Sequence, residues 1–279
     1  MKNKLIKLLE KRSTYRSVNI QAISDALKTN EEITFYSWEC PPRQIVQSVK
    51  FGQYVTFDVD IKKVVNGELL DKFTEVPRIT SQTKKELWFI ENILSKYKKA
   101  KYIKIIADTN AKYLYLKSYK ILGYKKIKSL SLKFKKELEK KAMTLFPNIK
   151  LKFYLYTTFQ VKFLDEYESF YNLIYRSFKK TKSNFVTNDI YNAWYKCMFN
   201  HVGYSKKDKI ERLDVLKRGI ATYAAEGMLF EMFNKTKIIQ NPIWINWEDE
   251  PDMAEASNIL RVRYGLNKLP IIYFVPKGI

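Results

Sequence analysis

Histidine, cysteine and glycine are all scarce in this sequence, and each shortage removes a class of chemistry. His201 is the one histidine among 279 residues, which excludes His-rich metal sites and most Ser-His-Asp arrangements. The two cysteines, Cys40 and Cys197, are too few and too far apart for a disulfide framework and fit a reducing compartment. Cys197 and His201 stand four positions apart on a predicted helix, but two ligands do not make a zinc site, and a structural role is expected for both. Among eight glycines there is neither a G-x-x-x-x-G-K-[ST] nor a G-x-G-x-x-G run, so no phosphate-cradling loop of either kind is present. No apolar run approaches the roughly 20 residues that a membrane span requires. The opening MKNKLIKLLEKR alternates Lys with Leu and Ile at helical spacing instead of forming a signal-peptide core, so a cytoplasmic protein without membrane contact is expected.

Acidic residues are the remaining shortage. Fifty-one Lys and Arg face 29 Asp and Glu, a formal charge of +22 that repels itself in the compact state unless an anionic partner uses it. A compositional bias toward Lys tends to raise Glu with it, and Glu has not followed. Nucleic acid, RNA ahead of DNA, is the expected partner. With 46% hydrophobic and 15% aromatic residues, the chain can bury a large core without a metal or a disulfide. No repeat, low-complexity tract or Pro/Gly-rich linker divides it, so residues 1–279 are expected to form one unit.

Hydrophobic periodicity predicts two short helices within residues 1–30, then a buried strand over 33–36 that ends at Ser37. Residues 53–63 alternate apolar and polar side chains before an Asn66-Gly67 turn and a second strand-like run at 69–76, which reads as a hairpin inserted within 51–80. A helix from Ser81 to about residue 98, a strand over 102–107 and possible caps at Asp108 and Asn110 follow. Helices at 111–122 and 125–146 are separated by Gly123, and 151–156 is a third strand. Beyond it the pattern is mostly helical (164–178, 189–199, 207–233, 252–264), with late strands at 243–246 and 271–275. Alternating strands and helices imply an α/β fold, a mainly parallel sheet with helices on both faces. Ligands then bind beyond the carboxyl ends of the strands, where Ser37 and Asp108 are expected.

Three features remain as candidates for function. The predicted helix after Gly123 places Ile127, Leu130, Phe134, Leu138, Ala142 and Leu145 on one face. Lys125, Lys126, Lys128, Lys133, Lys135, Lys136, Lys140 and Lys141 crowd the rest, offset only by Glu137 and Glu139. Phosphate backbone is a fitting counter-surface for that cationic side; a merely solvated face is the plainer reading. Ser37, in ITFYSWECPPR, stands where a buried strand meets a loop and is a candidate nucleophile, with a turn or capping role as the alternative. Glu226 lies in the apolar stretch GIATYAAEGMLFEMF beside Tyr223. A carboxylate there needs a cation, either a substrate ammonium or a lysine, and Glu231 shares the segment.

The order of these pieces resembles the cyclodipeptide synthases, Rossmann-fold enzymes related to the catalytic domain of class I aminoacyl-tRNA synthetases. Their first strand ends in the serine nucleophile, matched by Ser37. A second strand, a helix and a G-Y pair lead to a basic tRNA-holding helix, similar to residues 102–107, Gly123-Tyr124 and Lys125 to Lys141. Their catalytic helix carries Y-[LVI]-x-x-E-x-P, similar to Tyr223 and Glu226. The chain departs from the pattern in having Phe35 where glycine stands, Tyr and Glu three apart instead of four, Thr222 at the strict tyrosine position and no proline after the glutamate. The resemblance covers about residue 31 onward. It implies that Ser37 takes an aminoacyl group from one aminoacyl-tRNA and that a second aminoacyl-tRNA supplies the attacking amine, with cyclisation releasing a diketopiperazine. Glu226 would hold the ammonium or relay protons, Tyr223 would orient or relay, and Lys125, Lys126, Lys128, Lys133, Lys136 and Lys140 would hold tRNA. The ester arrives activated, so this chemistry requires neither cofactor nor metal.

Three rivals stand beside it. A non-catalytic RNA- or DNA-binding protein would use the same lysines without Ser37. The run NAKYLYLKSYKILGYKK at residues 110–126 is similar to the ending of N-acetyltransferases, although the preceding Gly-rich loop is missing. Asp58, Asp60, Glu68 and Asp71 around the hairpin would suit a metal-dependent nuclease, or an ordinary charged surface.

Overall fold

The structure is a computed structural model that describes residues 2–12, 20–29, 31–39, 81–106, 108, 124–177, 221, 225, 239, 241–246, 258, 261–263, 265–268 and 270–274. Helices α1 (Lys2–Arg12) and α2 (Ile20–Thr29) precede strand β1 (Ile33–Glu39). Helix α3 (Ser81–Asn92) leads to β2 (Ala100–Ile106), and α4 (Tyr124–Leu145) leads to β3 (Leu151–Leu155). Helices α5 (Tyr156–Gln160) and α6 (Leu164–Ser177) come next, with β4 (Pro242–Asn246) and β5 (Ile271–Tyr273) last. The sheet has five strands in the order β3-β2-β1-β4-β5, and every pair is parallel. The succession reverses direction at β1, so the β1/β4 boundary is the topological switch point, whose carboxyl side is the ligand crevice of this architecture.

Register assigns each side chain to a face. Ile33 pairs with Ala100, Phe35 with Tyr102 and Ser37 with Lys104, so Phe35, Ser37, Tyr102 and Lys104 point the same way. That face carries the main core. Leu9 of α1, Ile23 and Ala26 of α2, Phe89, Ile90 and Ile93 of α3, and Phe134, Leu138 and Ala142 of α4 pack against Ile33, Phe35, Tyr102, Ile106 and Ile243. Phe89 is central to it, set edge-on to Phe35 with centroids 5.1 Å apart and to Phe274 at 5.5 Å. On the opposite face Tyr36 stacks with Trp244 at 6.0 Å, and Phe159 of α5 packs edge-on to Tyr154 at 5.3 Å. The expected parallel α/β sheet with helices on both faces is what the chain forms.

Local departures from expectation have local causes. Strand β1 continues through Glu39, because its ladder with β2 runs unbroken to Glu39↔Ile106; Ser37 therefore sits inside the strand, not at its end. The helix expected to reach about residue 98 stops at Asn92, where the bonding tightens: Lys96 and Tyr97 donate to the carbonyls of Ile93 and Leu94, three residues back, at 3.2 Å each. Tyr97 then anchors the turn through a 3.0 Å bond from its hydroxyl to the Glu31 carbonyl. Leu145, assigned to the apolar face of α4, is 45% exposed, because the core-facing row runs Phe134, Leu138, Ala142 and then Phe146 at four-residue spacing, leaving Leu145 beside it. Asn241 takes a left-handed φ of 44° before β4, a conformation in which Asn is tolerated, and its amide bonds Glu31 Oε2 at 2.9 Å and the Glu32 carbonyl at 3.0 Å. Gly265, with φ 80°, ends a helical stretch by a paired closure: Leu266 N–H to Arg261 O at 2.8 Å and Gly265 N–H to Val262 O at 3.0 Å.

The hairpin at 51–80, Asp58, Asp60, Glu68, Asp71, the helices at 111–122 and 189–199, and Cys197 with His201 lie outside the described residues. Among the described residues no helix is long and apolar enough to cross a membrane.

Candidate active site

All seven residues of β2 are buried, as expected for an inner parallel strand covered on both faces. Two of them are lysines, and each must meet an anion to remain there. Lys101 meets Glu32, to which it is both bonded and ion-paired. Lys104 meets Glu86 of α3 at 2.7 Å, with both side chains buried. Glu86 precedes Phe89, Ile90 and Ile93 by three, four and seven positions, so it belongs to the face of α3 that lies on the sheet.

Ser37 and Tyr102 complete this cluster. The Tyr102 hydroxyl donates to Glu86 Oε1, the same oxygen that Lys104 Nζ contacts at 2.7 Å, and Ser37 Oγ lies 2.5 Å from the Tyr102 hydroxyl. A phenol has one proton to give and a carboxylate only accepts. With the phenol proton committed to Glu86, Ser37 must be the donor to Tyr102. The result is a directed chain, Ser37 to Tyr102 to Glu86, with Lys104 holding the terminal carboxylate. All four side chains are buried, and they sit under α3 in the carboxyl half of β1, the strand at the switch point. Glu86 Oε2 has no hydrogen-bond partner among the described residues.

Asp108, expected beyond the carboxyl end of β2 as a possible helix cap, is buried there and does cap a helix, but α5 and not the helix expected next in sequence. Helix α5 begins after Leu155, whose side chain cannot cap it. Asp108 supplies the cap from beyond the end of the neighbouring strand β2, accepting the Thr157 N–H at 3.0 Å and the Thr157 hydroxyl at 2.6 Å. This is why Tyr156 opens a helix instead of closing β3. Burial pushes the Asp108 pKa up, against the opposing pull of the Thr157 bonds and the charge of Lys128. A folded-state pKa above the unfolded value of about 3.9 favours the fold most below that value, and the contribution is lost as pH rises through the folded pKa. Asp108→Asn, which keeps an acceptor for Thr157, should therefore show a flatter dependence of unfolding free energy on pH above about pH 4. Asp108→Ala should lose about 1–2 kcal/mol in urea denaturation, as expected for a lost cap.

The cationic helix has the form that the sequence predicts. Lys125, Lys128, Lys133, Lys136 and Lys140 are exposed, Lys141 is half-buried, and Lys135 is held by Glu139 at 2.6 Å. The side chain of Lys126 lies outside what the structure describes. Because α4 returns between two parallel strands, its start lies toward their carboxyl ends, and the charge of Lys128 reaches Asp108 there. From Lys125 to Lys140 the lysines extend about 22 Å away from that edge.

Of the sequence-nominated catalytic residues, the structure describes Ser37; Tyr223 and Glu226 lie outside the described residues, although Ala221 and Ala225 beside them are buried. The residues brought to Ser37 are instead Tyr102, Glu86 and Lys104. A signal for two of them was available: a Glu on the apolar face of a helix and a Lys within the run YIKIIA are both charges that must be buried, and opposite buried charges seek each other.

No protein-family model matches the sequence, and no curated protein matches it. Solved structures do match. Tyrosyl-tRNA synthetase from Archaeoglobus fulgidus, complexed with L-tyrosine, has a TM-score of 0.56 at 10% identity, covering 99% of this chain and 65% of that one. The Leishmania major tyrosyl-tRNA synthetase in complex with tyrosinol has a TM-score of 0.55 at 12% identity, covering 99% and 39%. The Aeropyrum pernix tyrosyl-tRNA synthetase has a TM-score of 0.51 at 12% identity, covering 98% and 61%. This chain thus spans 65% of the length of the first and less of the other two. At such identities the likeness is one of fold, and the fold is the Rossmann-like parallel α/β arrangement of the tyrosyl-tRNA synthetases.

Proposed function

We propose that this chain is a tRNA-dependent aminoacyltransferase of the cyclodipeptide synthase kind. The observation that carries the reading is Ser37: a serine in the carboxyl half of the switch-point strand, its hydroxyl proton directed into a hydrogen-bonded chain. In this reading Ser37 attacks the ester carbonyl of an aminoacyl-tRNA and retains the aminoacyl group. The amine of a second aminoacyl-tRNA then takes that group, and cyclisation releases a diketopiperazine. Glu226 holds the substrate ammonium or relays protons, and Tyr223 orients the substrate or relays. Lys125, Lys126, Lys128, Lys133, Lys136 and Lys140 bind tRNA phosphates, with Lys125 and Lys128 nearest the crevice where the charged 3′ end must arrive. Two of the similar structures hold tyrosine or tyrosinol, which supports an aminoacyl group as the ligand of such a crevice. The substrate ester is already activated, so the reading calls for no ATP, metal or cofactor.

The complete burial of Ser37 favours a second reading, a non-catalytic RNA- or DNA-binding protein in which the cluster is only a core ion pair. One experiment separates the two. Purified protein is incubated with a mixture of radiolabelled aminoacyl-tRNAs and quenched in acid. Label retained by the wild type and absent from Ser37→Ala is expected. Binding of aminoacyl-tRNA with no label on protein and no ester consumed would leave the binding-protein reading in its place.

A further inference from the structure

We infer that Tyr102 and Glu86 form the proton relay of Ser37, and that Lys104 is the positioning residue that keeps Glu86 ready to accept. The inference rests on the reading of Ser37 as a nucleophile and extends it to residues that neither the fold nor the resemblance assigns.

Direction and capacity both support it. The Ser37 hydroxyl points its proton at the Tyr102 oxygen, and the Tyr102 proton points at Glu86 Oε1. Attack by Ser37 Oγ on an ester carbonyl forms the Oγ–C bond and breaks the bond from that carbon to the ribose oxygen. The Oγ proton moves to the Tyr102 oxygen as the phenol proton moves to Glu86. The departing ribose oxygen takes its proton from the Tyr102 hydroxyl, to which Glu86 returns the one it received, so the step balances without any co-reactant. Lys104, 2.7 Å from Glu86 Oε1, stabilises the anion before transfer. Once Oε1 carries the proton, Oε2 is the oxygen open to that ammonium, having no hydrogen-bond partner among the described residues. An ion pair serving stability alone gains most when both carboxylate oxygens are satisfied, and here one is left open. Among the described residues no histidine stands beside Ser37, and a phenol and a carboxylate take the place that imidazole holds in other serine sites.

The test uses an amino-acid p-nitrophenyl ester beside labelled aminoacyl-tRNA. Acylation is followed by p-nitrophenolate release and by mass analysis of Ser37 in wild type, Tyr102→Phe, Glu86→Gln, Lys104→Met and Lys104→Arg. The first three variants should acylate Ser37 more slowly, by on the order of 100- to 10,000-fold for the two relay residues, with KM for the ester unchanged. Lys104→Arg should recover the rate relative to Lys104→Met. Because single changes in a buried pair disturb folding, Glu86→Gln/Lys104→Met is the deciding variant: it should melt near the wild-type temperature and still react slowly.

Acylation by that folded double variant at the wild-type rate overturns the relay. Label taken from aminoacyl-tRNA at the wild-type rate by all the variants overturns the relay and leaves Ser37 acylation standing. Acylation by the ester that depends on Tyr102 and Glu86, with none from aminoacyl-tRNA, keeps the relay and overturns the tRNA donor. No acylation of the wild type by either reagent overturns both.

Discussion

Lys104→Met should destabilise the chain by about 3–5 kcal/mol, the cost of leaving one member of a buried ion pair without its partner. Lys104 and Glu86 are 0% and 1% exposed in their side chains. Methionine fills the space of the lysine stem and removes only the charge, so the loss reports the stranded Glu86 carboxylate and not a cavity. The chain's stability is expected to be within the ordinary range of about 5–15 kcal/mol, so this single change consumes a large part of it. Urea denaturation of Lys104→Met, Glu86→Gln and the double variant forms a thermodynamic cycle. The double variant should return to within about 1 kcal/mol of wild type, because replacing both ions by neutral groups of similar volume removes the desolvation penalty along with the attraction. A loss in the double variant equal to the sum of the two single losses would mean that the two side chains are not paired.

Replacing Lys125, Lys128, Lys133, Lys136 and Lys140 together by alanine should lower tRNA affinity by orders of magnitude at physiological salt. Each lysine that neutralises a phosphate contributes about 0.7–0.9 to the slope of log affinity against log salt, so the slope should fall by up to about 4.5. All five are exposed and alanine is the best helix former, so α4 should keep its place on the core. The formal charge falls only from +22 to 22 − 5 = +17. Alanine at five exposed lysines elsewhere, Lys7, Lys11, Lys28, Lys96 and Lys98, makes the same change in net charge and should leave affinity and slope much closer to wild type. If the two sets behave alike, binding depends on overall charge and α4 is not the interface.

Much of the fold was legible in advance because its signals are local. β1, β2, β3, β4 and β5 each fall on an apolar or β-prone run that the sequence marks, and α1, α2, α4 and α6 fall on its helical periodicities. Ser37 and the lysines of α4 were legible for the same reason: a serine at the end of an apolar run and a one-sided helix are patterns within about 20 residues. Boundaries were less so. The end of β1 depends on how far β2 continues beside it, and the start of α5 depends on a carboxylate 49 positions earlier in the chain.

The sequence by itself determined that this is a basic α/β chain with a cationic amphipathic helix and a serine on its first strand, since charge, composition and periodicity are written residue by residue. Only the tertiary structure decided what surrounds that serine. Glu86 and Lys104 are 18 positions apart and Ser37 and Tyr102 are 65 apart; the two buried charges are foreseeable from sequence, but nothing local joins them to Ser37 and Tyr102. They meet because strand order places β2 beside β1, because register puts Ser37 opposite Lys104, and because the crossover lays α3 over that face. Long-range hydrogen bonds follow from sheet topology, and topology is a property of the whole packed chain.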